Sequence, residues 1–146
     1  MSETDLFQRV FPNLISCDWK ITSDKTRRYN CIAWSVGLTH RWLWPSITSD
    51  WPDSVPRVRT IEAFIAMLAT FGFEPCEQGD LETDIEKVAL YAIGELPTHA
   101  ARQLPSGAWT SKLGRDYDIE HTTPEGVESA LYGSVVKYFK RPRPPA

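Results

Sequence analysis

A cysteine at the start of a short predicted helix is the residue best placed in this sequence to act as a nucleophile. Asn30 is a favourable N-cap residue, and the apolar run from Cys31 to Val36 follows it and ends before Gly37. The unpaired amides of a first helical turn and the helix dipole stabilise a thiolate, which is the nucleophilic form of cysteine. The amide of Cys31 is also in position to stabilise an oxyanion. The pattern predicts a nucleophilic Cys31, with a buried core thiol as the alternative because the following residues are apolar.

A nucleophilic thiol needs a base, and His99 is the candidate. It lies at the start of the predicted strand 98–104, and two alanines follow it. Small neighbours leave room beside the imidazole for a substrate or a helix end. Such an imidazole lowers the pKa of a thiol and can later protonate the leaving group. We expect His40 to be an ordinary surface histidine, and Cys17 and Cys76 to be core thiols.

The elements that must position these two residues are visible in the hydrophobic periodicity. Helical spacing predicts helices over 4–11, 31–36, 61–71 and 124–131. Period-two patterns predict strands over 16–21, 87–93, 98–104, 108–113, 118–121 and 134–139. Helices followed by antiparallel strands predict an α+β fold, with N-terminal helices packed on a small antiparallel sheet. We expect one domain over 1–140 and a Pro-rich tail over 141–146, with the basic residues of 137–143 in solvent.

The segment 42–56 combines tryptophan with proline at a density that excludes a long helix or a central strand. It contains Trp42, Trp44, Trp51, Pro45, Pro52 and Pro56. An ordered loop pinned by buried aromatic rings is therefore expected. The tryptophans either cover the core or form the wall of a groove for a substrate or partner.

The order of these features resembles the papain-like cysteine peptidase superfamily, and within it the NlpC-type bacterial cell-wall amidases and endopeptidases. The shared pattern is a cysteine on a helix, then a histidine that begins a strand, then a polar residue on the next strand. The segments 29–34, 98–101 and 109–114 also resemble an uncharacterised bacterial domain family. One departure concerns the nucleophile, because the NlpC-type motif Asp-Cys-Ser-Gly is replaced by Asn30-Cys31-Ile32-Ala33.

The resemblance implies a cysteine hydrolase or acyl transferase that forms a thioester at Cys31. Its substrate would contain an amide or ester in a peptide, a peptidoglycan-like stem or an acylated small molecule, and no cofactor is implied. The residues expected to contact that substrate are Tyr29, Asn30, Trp34, Trp109 and Lys112. The alternative is a catalytically inactive papain-like fold that binds a protein partner, as an effector, immunity or adaptor module, through the segment 42–56.

The third catalytic residue, which orients His99, depends on the register of the hairpin after it. A three-residue turn at 105–107 places Ser111 on the face of His99, whereas a two-residue turn places Thr110 and Lys112 there. His121 is the other candidate, because a histidine orients the base in the NlpC-type enzymes. We rank His121 slightly above Ser111, and Asp118 below both.

Net charge, hydropathy and cysteine count narrow the remaining classes of protein. The net charge of −3 argues against a nucleic-acid-binding protein. We expect a cytoplasmic protein without a membrane segment, because neither a signal sequence nor a long apolar run is visible. Three cysteines indicate free thiols. A zinc site of Cys31, His99 and His121 is disfavoured, since the spacing matches none of the usual zinc motifs, and no metal is expected.

Overall fold

One antiparallel sheet of seven strands organises the chain, and the computed structural model describes residues 2–113 and 116–145. The strands are β1 (Trp19–Ile21), β2 (Glu74–Cys76), β3 (Ile85–Ile93), β4 (Leu96–Gln103), β5 (Trp109–Lys112), β6 (Asp118–His121) and β7 (Ser134–Pro142). Their order across the sheet is β1-β6-β5-β4-β3-β7-β2, and every neighbouring pair is antiparallel. The chain from β3 to β6 therefore runs as a meander, with β7 added beyond β3.

Three α-helices accompany the sheet: α1 (Glu3–Val10), α2 (Cys31–Ser35) and α3 (Ile61–Thr70). Short 3-10 helices cover Pro12–Ser16 and Pro124–Val127. Each α-helix begins at a side-chain cap, provided by Ser2, Asn30 and Thr60 in turn. Gly37 and Gly72 follow α2 and α3 with positive φ angles of 88° and 89°, which suits glycine at a helix end. No helix in the described residues has the length and apolar character that a membrane span requires.

Two apolar clusters pack on opposite faces of the sheet. The first joins α2, α3 and the segment 42–56 to Val88, Leu90 and Ala100 of the sheet. The second joins the residues around the two 3-10 helices to Ala89, Tyr91 and Ala101. Consecutive strand residues alternate between the clusters because side chains along a strand point to opposite faces. The sheet is thus covered on both sides.

The expected mixture of helices and antiparallel strands is confirmed, but the sheet is larger than the small one predicted. Strand β2 is an addition to the predicted strands, and Pro75 lies in its middle. Proline has no amide hydrogen to donate and is tolerated only where a strand lies at an edge. The β2 strand is such an edge, since it pairs with β7 alone.

Two further predictions differ from the structure. The helix expected over 124–131 is a single 3-10 turn, because Ser129 pairs with Gly133 and ends it. The C-terminal basic residues also differ from a solvated tail. Strand β7 continues to Pro142, and the Arg141 guanidinium contacts the buried Glu86 carboxylate at 2.8 Å.

Candidate active site

Cys31 is the first residue of α2, and Asn30 fixes the start of that helix. Asn30 Oδ1 accepts hydrogen bonds from the amides of Ala33 (3.1 Å) and Leu43 (3.0 Å), while Nδ2 donates to the Leu43 carbonyl (2.9 Å). The first contact caps α2. The other two tie the helix to the tryptophan-containing segment 42–56. Cys31 is thereby held at the junction of these two parts of the chain.

The Cys31 thiol is largely buried, with 8% of the residue exposed. Burial raises its pKa to about 11, and hydrogen bonding from the Ala100 backbone acts in the opposite direction. The side chain is therefore a neutral thiol at pH 7. The Ala100 contact places the sulfur against β4, beside the residue that follows His99.

The register of β4, β5 and β6 decides which side chains share a face with His99. A three-residue turn joins β4 to β5 so that Gln103 pairs with Trp109, and Trp109 pairs in turn with His121. Because side chains alternate along each strand, His99, Ser111 and His121 all lie on the face of Trp109. Both residues that the sequence offered as partners of His99 are thus on its side of the sheet.

Ser111 forms a bridge between the two histidines. Its Oγ lies 3.0 Å from His99 Nε2 and 2.8 Å from His121 Nε2. The other ring nitrogen of His121, Nδ1, lies 2.7 Å from the Thr123 carbonyl oxygen. All three side chains in this bridge are fully buried.

The hydrogen bonds of the bridge assign the position of each proton. A carbonyl only accepts, so His121 Nδ1 carries a proton, and the neutral ring then accepts at Nε2 from the Ser111 hydroxyl. The Ser111 oxygen in turn accepts from His99 Nε2–H. This network leaves His99 Nδ1 as an unprotonated lone pair. That atom is buried and has no hydrogen-bond partner among the described residues.

Two tyrosines enclose the imidazole of His99. The Tyr132 ring stacks on it with centroids 4.1 Å apart and an interplanar angle of 6°, and Tyr91 contacts it edge-on at 5.1 Å. Burial, together with the neighbouring His121, holds the pKa of His99 well below its usual range. Burial also lowers the pKa of His121 to about 4. Both rings are therefore neutral at pH 7, as the tautomer assignment requires.

Cys31 and His99 approach β4 from opposite sides. Cys31 belongs to the cluster with α3 and Ala100, whereas His99 packs between Tyr91 and Tyr132 of the other cluster. No hydrogen bond between the described residues joins the thiol to the imidazole. Pairing between β4 and β5 covers Gln103 and Arg102 but does not extend back to Ala100. The strand is therefore unpaired with β5 where the thiol contacts it.

A cavity of about 710 Å³ opens above Cys31. Its lining consists of Asn30, Cys31, Trp42, Trp44, Ser46, Thr48, Ser49, Asp50, Thr98 and Tyr132. The volume is in the range of small-molecule sites. Tyr132 links the two halves of the candidate site, since its ring contacts His99 and also lines this cavity.

The residues predicted to contact a substrate divide between the cavity and the protein interior. Asn30 lines the cavity. Tyr29, two residues before α2, stacks on Trp34 of α2, and the two side chains donate hydrogen bonds to Asp118 (2.6 Å) and Thr110 (3.0 Å) respectively. These contacts fix the base of α2. Both rings therefore help to hold α2 in place, and neither lines the cavity.

Lys112 and Trp109 also lie outside the cavity lining. The Lys112 ammonium is 5.4 Å from the centroid of the Tyr29 ring and bonds to the Asp116 carbonyl. Trp109 is buried on the opposite face, with its ring 6.1 Å from that of Tyr138. Cys17 and Cys76, predicted as core thiols, are half-buried, and His40 is exposed.

The three tryptophans in the segment 42–56 divide between the two predicted positions, in the core and in the wall of a groove. Trp51 is buried against Phe64 of α3, whereas Trp42 and Trp44 line the cavity. Sequence reasoning did not identify Thr98 or Tyr132. Thr98 adjoins His99 on β4, but Tyr132 lies in a turn with no local signal of function. Among the described residues, no three histidine, cysteine, aspartate or glutamate side chains group closely enough to hold a metal ion.

Comparison with known proteins identifies a family without an assigned activity. Residues 20–140 match the profile described as "Domain of unknown function (DUF7689)". The search of curated proteins found no match, and neither did the search of solved structures. The matched range contains Cys31, His99, Ser111 and His121. Because it covers most of the 146 residues, the chain belongs to the DUF7689 family.

Proposed function

We propose that this protein is a thiol hydrolase or acyl transferase of the papain-like kind, with Cys31 as its nucleophile and His99 as its base. The observation that carries the proposal is the free lone pair of His99 Nδ1. His99 directly precedes Ala100 on β4, and the backbone of Ala100 contacts the thiol. A buried imidazole nitrogen without a hydrogen-bond partner costs free energy, and a catalytic role is one reason for such an atom to be retained. General base catalysis is such a role.

The resting state supports a general-base mechanism rather than a preformed ion pair. Burial keeps the Cys31 thiol protonated and the His99 imidazole neutral. This mechanism requires the thiol and His99 Nδ1 to come within hydrogen-bond distance past the part of β4 that does not pair with β5. Attack on a carbonyl would then transfer the thiol proton to His99 Nδ1 as the sulfur–carbon bond forms. The imidazolium then returns this proton to the leaving amine or alcohol, and a thioester remains on Cys31.

The second half of the reaction regenerates the thiol. His99 Nδ1 removes a proton from water, or from another acceptor, which attacks the thioester carbonyl. The carbon–sulfur bond breaks, the acyl group leaves as an acid or a new ester or amide, and the imidazolium returns its proton to the Cys31 sulfur. Ser111 and His121 hold the imidazole in the tautomer that both steps need.

The alternative function is a binding module that keeps a papain-like arrangement without turnover. The enclosure of His99 between two tyrosines and its separation from the thiol by β4 favour this alternative. The cavity with Trp42 and Trp44 would then receive a protein segment. The two functions differ in whether Cys31 forms a covalent intermediate.

Trapping of an acyl-enzyme tests the proposal. We expect incubation with p-nitrophenyl acetate and rapid acid quenching to yield a protein that is heavier by one acetyl group at Cys31. Cys31→Ala should lose this adduct, and His99→Gln should form it at least 100-fold more slowly, in line with removal of a general base. Cys76→Ala and His40→Gln are the matched controls and should behave as the parent protein does. An adduct rate unchanged in His99→Gln, with native circular dichroism, would favour the binding module.

A further inference from the structure

We propose that the cavity above Cys31 receives a neutral, apolar acyl chain, and that Trp42 and Trp44 select the substrate by its length. This inference rests on the proposed function, because the acyl group of a thioester must lie next to the Cys31 sulfur. It adds the chemical class of that acyl group. The chemistry and fixed position of the cavity wall support it.

The two tryptophan rings are held in place by contacts outside the cavity. Trp42 Nε1 donates to the Arg27 carbonyl at 2.6 Å. The Trp44 ring packs edge-on against Phe64 at 5.6 Å, and the Arg59 guanidinium lies 5.4 Å from its centroid. Aromatic walls that are fixed before a ligand arrives reduce the ordering cost of binding. The rings therefore offer a preformed apolar surface.

Several polar groups around the cavity already have partners within the protein. Arg57 Nη1 donates to the carbonyls of Ser46 (2.5 Å) and Ser49 (2.9 Å), and the hydroxyls of Ser46 and Thr48 lie 3.3 Å apart. The Thr98 hydroxyl donates to the Tyr132 carbonyl. A ligand gains little from hydrogen bonds to groups that are already bonded.

Charge in the lining also disfavours an ionic substrate. Of the lining residues that the structure describes, Asp50 alone is charged, and the Arg41 guanidinium lies 3.9 Å from its carboxylate. Trp42, Trp44 and Tyr132 supply the aromatic part of the lining. Aromatic side chains suit an apolar chain.

A series of p-nitrophenyl esters of unbranched acids tests the inference. From acetate through butanoate to hexanoate, we expect kcat/KM for the Cys31-dependent reaction to rise about fourfold for each methylene group that the cavity buries. Trp44→Ala should flatten this dependence, with a larger loss for hexanoate than for acetate. Trp19→Ala, on β1 and outside the lining, is the control and should keep the parent slope. Equal kcat/KM values along the series would overturn the inference.

A binding measurement separates this inference from the proposed function. Hexanamide and acetamide are neutral and bind without an activated leaving group. Hexanamide should shift the indole NMR signals of Trp42 and Trp44 at millimolar concentration, and acetamide should not. Such shifts without ester turnover would leave the apolar cavity standing and refute the hydrolase. Turnover of esters at Cys31 without these shifts would refute the apolar cavity and leave the hydrolase standing.

A cationic substrate is the competing occupant. The 6-aminohexanoate ester has the same chain length as hexanoate with an ammonium at its end. We expect its kcat/KM to be at least tenfold lower than that of hexanoate. A preference for the ammonium ester that Asp50→Asn abolishes would show that the cavity recognises a cation instead.

Discussion

His99 illustrates how residues distant in sequence define the chemistry of one atom. The Thr123 carbonyl fixes the proton of His121, His121 fixes the hydroxyl of Ser111, and Ser111 fixes the proton of His99. The sequence offered Ser111 and His121 as rival partners for this histidine. In the structure His99 contacts Ser111, and Ser111 contacts His121, because successive strands place the three side chains on one face of the sheet.

Tyr132 should control the access of solvent to His99. In Tyr132→Ala, we expect the pKa of His99 to rise towards its ordinary value of 6.5, because loss of the stacked ring exposes the imidazole to water. Titration of the histidine ring protons by NMR measures this change.

Tyr132→Phe is the matched control, since it keeps the ring and removes the hydroxyl. Its His99 should titrate as in the parent protein. If the pKa of His99 in Tyr132→Ala equals that in the parent protein, groups other than Tyr132 shield the imidazole from water. Native chemical-shift dispersion in both variants makes this comparison valid.

At the scale of elements, α2 depends on its cap more than its length suggests. A helix of five residues has little stability of its own. Asn30 compensates with three hydrogen bonds, two of which reach Leu43. The sequence predicted the cap from residue type but not its second role, because the contact with Leu43 crosses from one segment to another.

Removal of this cap should cost more than removal of an ordinary cap. Asn30→Ala should lower the free energy of unfolding by about 3 kcal/mol, because it leaves the buried Leu43 amide and carbonyl without partners in addition to the cap loss. Thr60→Ala, which removes only the bond to the Ala63 amide of α3, should cost about 1 kcal/mol. Urea unfolding of both variants gives the comparison. Equal losses would mean that the Leu43 contacts add no stability.

At the scale of the whole molecule, the C-terminal strand is integrated into the sheet. Arg141 donates to Glu86 Oε1 from Nε (3.0 Å) and Nη2 (2.8 Å), and to the Phe71 carbonyl from Nη1 (2.8 Å). Glu86 is 4% exposed. A buried carboxylate that loses its partner is strongly destabilising.

A truncation before Arg141 and a truncation after Arg143 should therefore differ sharply in their free energy of unfolding. A chain that ends at residue 140 should lose about 3–5 kcal/mol of unfolding free energy, because Glu86 remains buried without Arg141. A chain that ends at residue 143 retains these contacts and should match the parent within experimental error. Thermal unfolding followed by circular dichroism distinguishes them. Similar melting temperatures for the two truncations would contradict the role assigned to Arg141.

Acid should destabilise the fold through the buried histidines. The pKa of His121 is lowered from 6.5 to about 4 on folding. As the pH falls from 6.5 to 4, the unfolded chain binds a proton that the folded chain excludes, so stability is lost on acidification. This histidine alone accounts for about 3 kcal/mol over that window.

Denaturant unfolding between pH 7 and pH 4.5 measures this dependence. His121→Gln should flatten the loss of stability on acidification, since its side chain does not titrate. His40→Gln is the control, because His40 is exposed, and should retain the parent slope. The same slope in His121→Gln as in the parent protein would exclude His121 as the source.

The sequence alone determined the local features of this protein. The caps at Asn30 and Thr60, the helices α2 and α3, and the strands flanking His99 follow from residue types and periodicities that act over a few positions. Cys31 at a helix start and the tryptophan-rich loop were visible for the same reason. Such features need no knowledge of distant parts of the chain.

Tertiary structure decided what those local features do together. The order of the strands, the edge position of β2 and the bridge from His99 to His121 depend on pairings between segments far apart in sequence. The same holds for Tyr132, which has no local signal yet covers His99 and lines the cavity above Cys31. Side-chain alternation fixes faces within each strand, but only the register between strands determines which faces meet.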